Sequence, residues 1–255
     1  MNTAYSKTVR EAGYQPVVSP QAAERIREWH DAAVRTAKRD DGSGQTFVVL
    51  GKGLIVPSGV HQISGVEHLL GEAVLAEVRD GDRVLDMGTG SGINAILAAS
   101  QGARVVAVDI NPQAVLAAQD NVERSGLADR IDVQRGDLFS EVIGQFDLII
   151  YEPHLRVPAL DIQPARDVIA HEARSVATFV RDARQYFTDR GRMLFFVGPP
   201  PELPTLMELA ADEHFTANLV AQEALIHDGH SVDYYAFRLL PNAPTIEIEG
   251  RRAGY

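Results

Sequence analysis

The segment Val84-Leu85-Asp86-Met87-Gly88-Thr89-Gly90-Ser91-Gly92-Ile93-Asn94 is an apolar strand pattern that meets three alternating glycines and then a helix. Glycine enters positive φ freely and puts no Cβ in the way. A turn of this kind lets backbone N–H groups approach a ligand at the positive end of the following helix. The register of the glycines narrows the choice of ligand. A dinucleotide fingerprint requires G-x-G-x-x-G, and counting from Gly88 and Gly90 puts Ile93 where its third glycine belongs. What stands here is D-x-G-x-G-x-G, with Asp86 at the strand end.

Two further acids hold matching places. Arg104-Val105-Val106-Ala107-Val108-Asp109 reads as a second strand, closed by Asp109 23 residues after Asp86. An acid at that tip accepts two hydrogen bonds from a ribose diol in nucleotide-binding α/β folds. Asn111-Pro112 offers an N-cap and a proline at N1, and the helix from Gln113 to Arg124 ends at Gly126. Ile131-Asp132-Val133-Gln134, followed by Gly136-Asp137-Leu138-Phe139, reads as a third strand ending in an acid.

The D-x-G-x-G-x-G turn with an acid at each of three strand tips resembles motif I of the class I S-adenosyl-L-methionine (SAM)-dependent methyltransferases. A carboxylate before the turn suits a ligand carrying an ammonium and a sulfonium better than a pyrophosphate. The resemblance implies an α/β fold: a doubly wound, seven-stranded, mostly parallel sheet with one antiparallel strand. It implies SAM as cofactor and S-adenosyl-L-homocysteine as its product. Cofactor contacts are then expected from Asp86, Gly88, Thr89, Gly90, Gly92 and Asn94 in the first unit, and from Asp109, Ile110, Asp137, Leu138 and Glu152 beyond it. Asp137 would bond the adenine amino group, and Leu138 would offer a backbone N–H to the ring.

Catalysis belongs at the end of the fourth strand, where open α/β sheets form their crevice. Phe146-Asp147-Leu148-Ile149-Ile150-Tyr151 is that strand, and Glu152-Pro153-His154-Leu155 follows. The position looks like that of the amino-methyltransferases with N-P-P-Y or D-P-P-Y, a group that includes the protein-release-factor glutamine methyltransferases and several rRNA guanine methyltransferases. The resemblance covers roughly residues 46 to 240. Here Glu152 replaces Asn or Asp, Pro153 is kept, His154 replaces the second proline and Leu155 replaces the aromatic residue. Without the aromatic ring a flat base or amide loses its stacking surface. The charge of Glu152 suits an amine, a guanidinium or an acidic hydroxyl, and His154 titrates near neutrality and can take a proton. Glu152 and His154 are therefore the catalytic candidates, with His61, Trp29 and Arg156 as substrate candidates. Structural alternatives stay open: Glu152 paired with Arg156 or Arg166, His154 capping a loop, Trp29 in the core of an N-terminal helix.

The activity expected on these grounds is methyl transfer to nitrogen or oxygen of a small molecule or short peptide, in specialised natural-product metabolism. The alternative is a protein (glutamine-type) or rRNA N-methyltransferase. A SAM-binding regulatory protein without catalysis is the rival from another class.

Composition bounds these readings. The chain has 255 residues, 45% of them hydrophobic, and no apolar run near the length of a membrane span. Its start lacks the layout of a signal peptide, and cysteine is absent, so a cytoplasmic location is expected, with no disulfide and no thiolate metal site. No His/Asp/Glu spacing resembles a metal site. A net charge of −11 and arginines dispersed along the sequence weigh against a nucleic-acid partner. The expected division is a helical and hairpin cap over 1–78, a SAM-binding domain over 79–243 and a tail over 244–255. Within it the patterns predict a helix from Gln21 to about Lys38, and strands Thr46–Leu50 and Leu54–Val56 around Gly51-Lys52-Gly53. A helix follows from Ser64 or Gly65 to Glu77, and another from about Glu172 to Thr188, ending at Gly191 before strand Arg192–Val197. Next come a helix over Leu203–Glu213 and a closing hairpin, Ala217–Ile226 and Ser231–Leu240, turning at Asp228-Gly229. Of Tyr234 and Tyr235, one is expected to pack inward and the other to face out.

Overall fold

The computed structural model describes residues 44–60, 63, 67–153, 176–197, 203–227 and 230–242. The predicted helix at 21–38 with Trp29, the turn at Asp228-Gly229 and the tail at 244–255 lie outside the described residues.

A short antiparallel ribbon comes first. β1 (Gln45–Val49) and β2 (Lys52–Val56) pair with Gln45 opposite Val56. Their turn is Leu50-Gly51, both at positive φ, the two-residue geometry whose twist matches the strands it joins. Lys52 and Gly53 therefore belong to the second strand and not to the turn, as the pattern had suggested.

Apolar strands alternating with amphipathic helices then build one sheet. β3 (Arg83–Met87), β4 (Arg104–Asp109), β5 (Ile131–Arg135), β6 (Phe146–Tyr151), β7 (Phe187–Val197), β8 (Phe215–His227) and β9 (His230–Pro241) lie in the order β5-β4-β3-β6-β7-β9-β8. The first five are parallel, and β9 runs antiparallel to both β7 and β8. This is the expected seven-stranded sheet with one reversed strand. The helices are α1 (Glu67–Glu77), α2 (Ile93–Ser100), α3 (Pro112–Arg124), α4 (residues 176–183) and α5 (Leu203–Asp212). Asn111 caps α3 as predicted, its Oδ1 accepting from the Gln113 N–H at 3.0 Å with Pro112 beside it. The β5–β6 connection is different: residues 136–145 form turns and no helix.

Both faces of the sheet carry a core. On one, Val84, Leu148, Leu194 and Ala236 pack with α1, α2 and the β1–β2 ribbon. On the other, Leu85, Phe146, Phe179, Phe195 and Phe237 form a second cluster. Period-2 alternation on the last strand therefore turns the two tyrosines to opposite cores, Tyr235 buried and Tyr234 partly buried. Tyr234 stacks on Phe196 in the first core and Tyr235 on Phe237 in the second. The expectation that one would face out fails because the sheet has no solvent face here.

The long helix predicted up to Thr188 stops at 183, a 3-10 turn covers Arg184–Tyr186, and β7 begins at Phe187. Thr188 and Arg190 are in the strand because their side chains are needed by Asp147. The register jumps between the Phe146–Phe187 and Leu148–Arg192 pairs. Asp147 sits at that jump, accepting from Arg190 Nε at 2.8 Å, Arg190 Nη2 at 3.1 Å, Thr188 Oγ1 at 2.7 Å and the Arg83 N–H at 2.9 Å. These donors, Arg190 above all, hold its carboxyl well below the usual aspartate range against the opposing effect of burial. Next to it Arg192, 3% exposed, donates to the Asp147 carbonyl at 2.7 Å, to Asp82 at 2.8 Å and to the Glu77 carbonyl. One guanidinium thus joins β7, β6, the entry to β3 and the end of α1.

Candidate functional site

At the carboxyl ends of β3, β4 and β6 the glycine turn is tied down by the strands beneath it. Gly88, Gly90 and Gly92 all take positive φ. The N–H groups of Gly88 and Thr89 donate to the Val108 carbonyl at 2.8 and 3.0 Å. Asp86, buried within the turn, accepts from Thr89 Oγ1 at 2.6 Å and from the Ala95 N–H at 3.1 Å. Burial raises its pKa to about 6, against the pull of those two hydrogen bonds. Asp86 and Thr89 therefore hold the shape of the turn, and Thr89 faces inward. Gly92 starts α2 where a Cβ would press on Ala118 of α3 at 3.2 Å. Above Gly88 and Gly90 the situation is the reverse. Among the described residues, a Cβ on Gly88 would meet nothing within 4 Å, and one on Gly90 only the Gly88 carbonyl at 4.0 Å. Open space lies over the turn.

The groups bordering that space have capacity to spare. Asp109 accepts from the Gly90 N–H and the Asn111 N–H, both at 2.9 Å, one on each oxygen, and each oxygen keeps a second lone pair. Ile110 beside it is 60% exposed. Asp137 is exposed and its carboxylate has no hydrogen bond, and Leu138 follows at φ 48 with its N–H unused, among the described residues. Asn94, on the first turn of α2, is 7% exposed, and its Oδ1 has no partner among the described residues. The loop after β2 closes one side, where Asn111 Nδ2 donates to the Gly59 carbonyl at 3.0 Å. Asn121 of α3 fastens that loop: its amide bonds the Ile55 N–H at 2.8 Å, the Ile55 carbonyl at 3.0 Å and the Ser91 carbonyl at 2.9 Å.

Glu152 follows directly on β6. Burial, with the like charges of Glu67 and Asp86 nearby, pushes its carboxyl up to about 8. Glu67, 6% exposed at the start of α1, also acts on Tyr234, whose hydroxyl is raised by burial first and by the Glu67 charge second. Its neighbour His68 bonds Glu223 of β8 at 2.6 Å, and Glu223 lies opposite Tyr234 in the β8–β9 register. The fold thus gathers Glu152, Glu67, Asp86 and Tyr234 on the α1 face of the sheet, next to the glycine turn. Sequence reasoning singled out Glu152 and Asp86 but missed Glu67, His68, Asn121 and Glu223. The single acid that opens α1, Glu67, was the available signal, although nothing local ties it to residues 85 positions away. His154, His61 and Arg156 lie outside the described residues. Among those described, no three of His, Cys, Asp and Glu come together in a metal-binding group, and no helix is long and apolar enough to cross a membrane.

Comparison with known proteins agrees with this geometry. The family model described as "PrmA: Ribosomal protein L11 methyltransferase (PrmA)" matches residues 32–152, the part that holds the glycine turn and the three acids. A ribosomal protein L11 methyltransferase of Desulfitobacterium hafniense is 43% identical over 101 residues, 40% of this chain and 31% of its own length. That of Pelotomaculum thermopropionicum is 37% identical over 147 residues, 57% of this chain and 42% of its own. The chain thus spans less than half the length of these curated relatives. The crystal structure of the ribosomal protein L11 methylase of Lactobacillus delbrueckii subsp. bulgaricus superposes with a TM-score of 0.54 at 21% identity, covering 71% of this chain and 82% of that one. Strand order, glycine turn and superposition together assign the chain to the class I, SAM-dependent methyltransferase fold.

Proposed function

We propose that this chain is a SAM-dependent methyltransferase that modifies an amino nitrogen of a protein. The expectation of a small-molecule or short-peptide substrate in specialised metabolism is corrected by the relatives, which are named as methyltransferases of a ribosomal protein. Their name favours the alternative of protein N-methylation.

The residues over the glycine turn fit SAM. The space above Gly88 and Gly90 admits a ligand against backbone, Asp109 has lone pairs left for a ribose diol, and Ile110 offers an apolar face to a base. Asp137 and the Leu138 N–H can serve that base's edge, and Asn94 has an acceptor in need of a donor. When bound, the cofactor supplies a methyl group already activated by its sulfonium. The protein's task is then to align the nucleophile within about 3–3.5 Å and to dispose of one proton.

The observation that carries the substrate reading is the raised carboxyl of Glu152 between Glu67 and Asp86. Such an enclosure favours a cationic group, and a protein amine arrives as an ammonium. With its carboxyl raised to about 8, Glu152 holds a proton near neutral pH until a cation stands beside it. The incoming ammonium favours the carboxylate, which gives that proton to solvent and is then a base for the ammonium. It accepts the proton and leaves a neutral nitrogen with a free lone pair.

Purified chain, SAM and ribosomal protein L11 from the same organism, followed by mass spectrometry, should give added methyl groups on an amine. Glu152→Gln should lower kcat/KM by about 10²-fold while SAM affinity, read by calorimetry, stays near wild type. Full activity in that variant would remove Glu152 from the chemistry. Tight SAM binding with no methylation of any protein would favour the regulatory reading.

A further inference from the structure

Arginines that look dispersed in the sequence converge at the end of the sheet opposite the glycine turn. Arg83 begins β3, Arg104 begins β4 directly opposite it, and Arg130 immediately precedes β5. Period-2 alternation places all three on the face that carries the second core. With strands about 4.8 Å apart, their backbones line up over about 10 Å. They border a cavity of about 350 Å³ whose floor includes Val106 and Phe146. The cavity is open because the β5–β6 connection has no helix to lay over that part of the sheet.

None of the three guanidinium groups has a carboxylate within ion-pair distance among the described residues. The Arg83 guanidinium lies 5.6 Å from the centre of the Phe146 ring. Arg130 donates one bond, to the Gly102 carbonyl at 3.1 Å, and keeps its other N–H groups. The exposed Arg104 side chain makes no hydrogen bond or ion pair among the described residues. The acids that might have neutralised them are already engaged: Asp82 and Asp147 are taken by Arg190 and Arg192. Two further acids line the cavity, Asp129 and Asp132, the latter accepting from Gln134. In a chain of net charge −11, these exposed arginines form a local row of planar, always-charged donors with N–H groups available to an anion.

We propose that this arginine-lined cavity is a phosphate-binding site that docks the backbone of an RNA. Three guanidiniums in a row match successive phosphates better than one enclosed anion. The choice of RNA over other phosphates rests on the reading above, in which the substrate is a ribosomal protein and RNA lies beside it. The cavity itself does not depend on that reading.

The test is fluorescence anisotropy of a fluorescein-labelled RNA hairpin titrated with the full chain, without SAM or protein substrate, over a series of salt concentrations. Wild type should bind at low salt. The double variant Arg104→Gln/Arg130→Gln should bind at least tenfold more weakly, with the slope of log K against log salt reduced by about two. The double variant Asp129→Asn/Asp132→Asn should bind more tightly, a change of opposite sign that general damage to the fold would not produce. Circular dichroism melts establish that both variants are folded. Three results would overturn the proposal: no binding by wild type, unchanged affinity in the arginine variant, or equal competition by polyglutamate. Pyrophosphate saturating the site with no RNA bound would move the ligand to a free phosphate compound and end the RNA assignment. Methylation of the isolated protein substrate is a separate readout, so either idea can fail without the other.

Discussion

Glu152 is an acid whose folded state favours the proton. Its ordinary value of 4.5 rises to about 8 in the fold, through burial first and the neighbouring Glu67 and Asp86 charges second. A raised folded pKa means that the native state binds more protons than the unfolded chain between those two values. Stability from this group is fully present below about pH 4.5 and is lost as pH rises toward 8. Asp86, raised to about 6, adds the same trend over a narrower window. Glu152→Gln should therefore gain stability over wild type progressively between pH 5 and pH 8, in urea melts run at a series of pH values. A constant offset across that range would mean that Glu152 titrates normally in the fold. At this scale Asp86, Asp109 and Asp137 were legible because each stands at or just past the end of a strand in a local pattern. Glu67, which acts on both Glu152 and Tyr234, was not, since it meets them only after α1 and β9 have been laid on the same side of the sheet.

Among the elements, the β1–β2 ribbon and α3 show how a local pattern and a long-range bond divide the work. The ribbon, α3 and the strands from β3 to β6 follow from period-2 or period-3.6 apolarity and from turn and cap residues such as Gly51 and Asn111-Pro112. The ribbon's position does not follow from any of these. Asn121, fully buried on α3, fixes it by bonding both polar groups of Ile55 and the Ser91 carbonyl. Asn121→Ala should lower unfolding free energy by about 1–3 kcal/mol, the range for leaving buried partners unsatisfied. Hydrogen exchange should show the loss concentrated at residues 52–60. Protection unchanged there would mean that the apolar contacts of Leu54 and Val56 hold the ribbon alone. The start of β7 was illegible for a related reason: Phe187 to Arg190 look helical locally, and Asp147, 41 residues from Thr188, calls them into the strand.

For the whole molecule, the critical junction is the buried set of Asp82, Asp147 and Arg192 at the amino ends of the strands. Asp82 has no exposure and Arg192 almost none. Removing one partner leaves an uncompensated buried charge, at a cost of about 3–5 kcal/mol. Arg192→Met should therefore show a loss of that order in urea unfolding, while Arg181→Met, whose ion pair with Asp182 is exposed, should be nearly neutral. Equal effects of the two would mean that the junction contributes no more than a surface pair. The acids of this junction belong to β6 and the entry to β3, whereas both arginines that neutralise them come from β7. The chain is synthesised from its amino terminus, so the aspartates leave the ribosomal tunnel well before Arg190 and Arg192. Until those two emerge, the strands bearing the glycine turn cannot close over their acids without stranding them. The nascent core must wait for a segment that follows it, and a chain truncated before residue 190 should leave this junction open even though it holds the whole glycine turn and the three acids beside it.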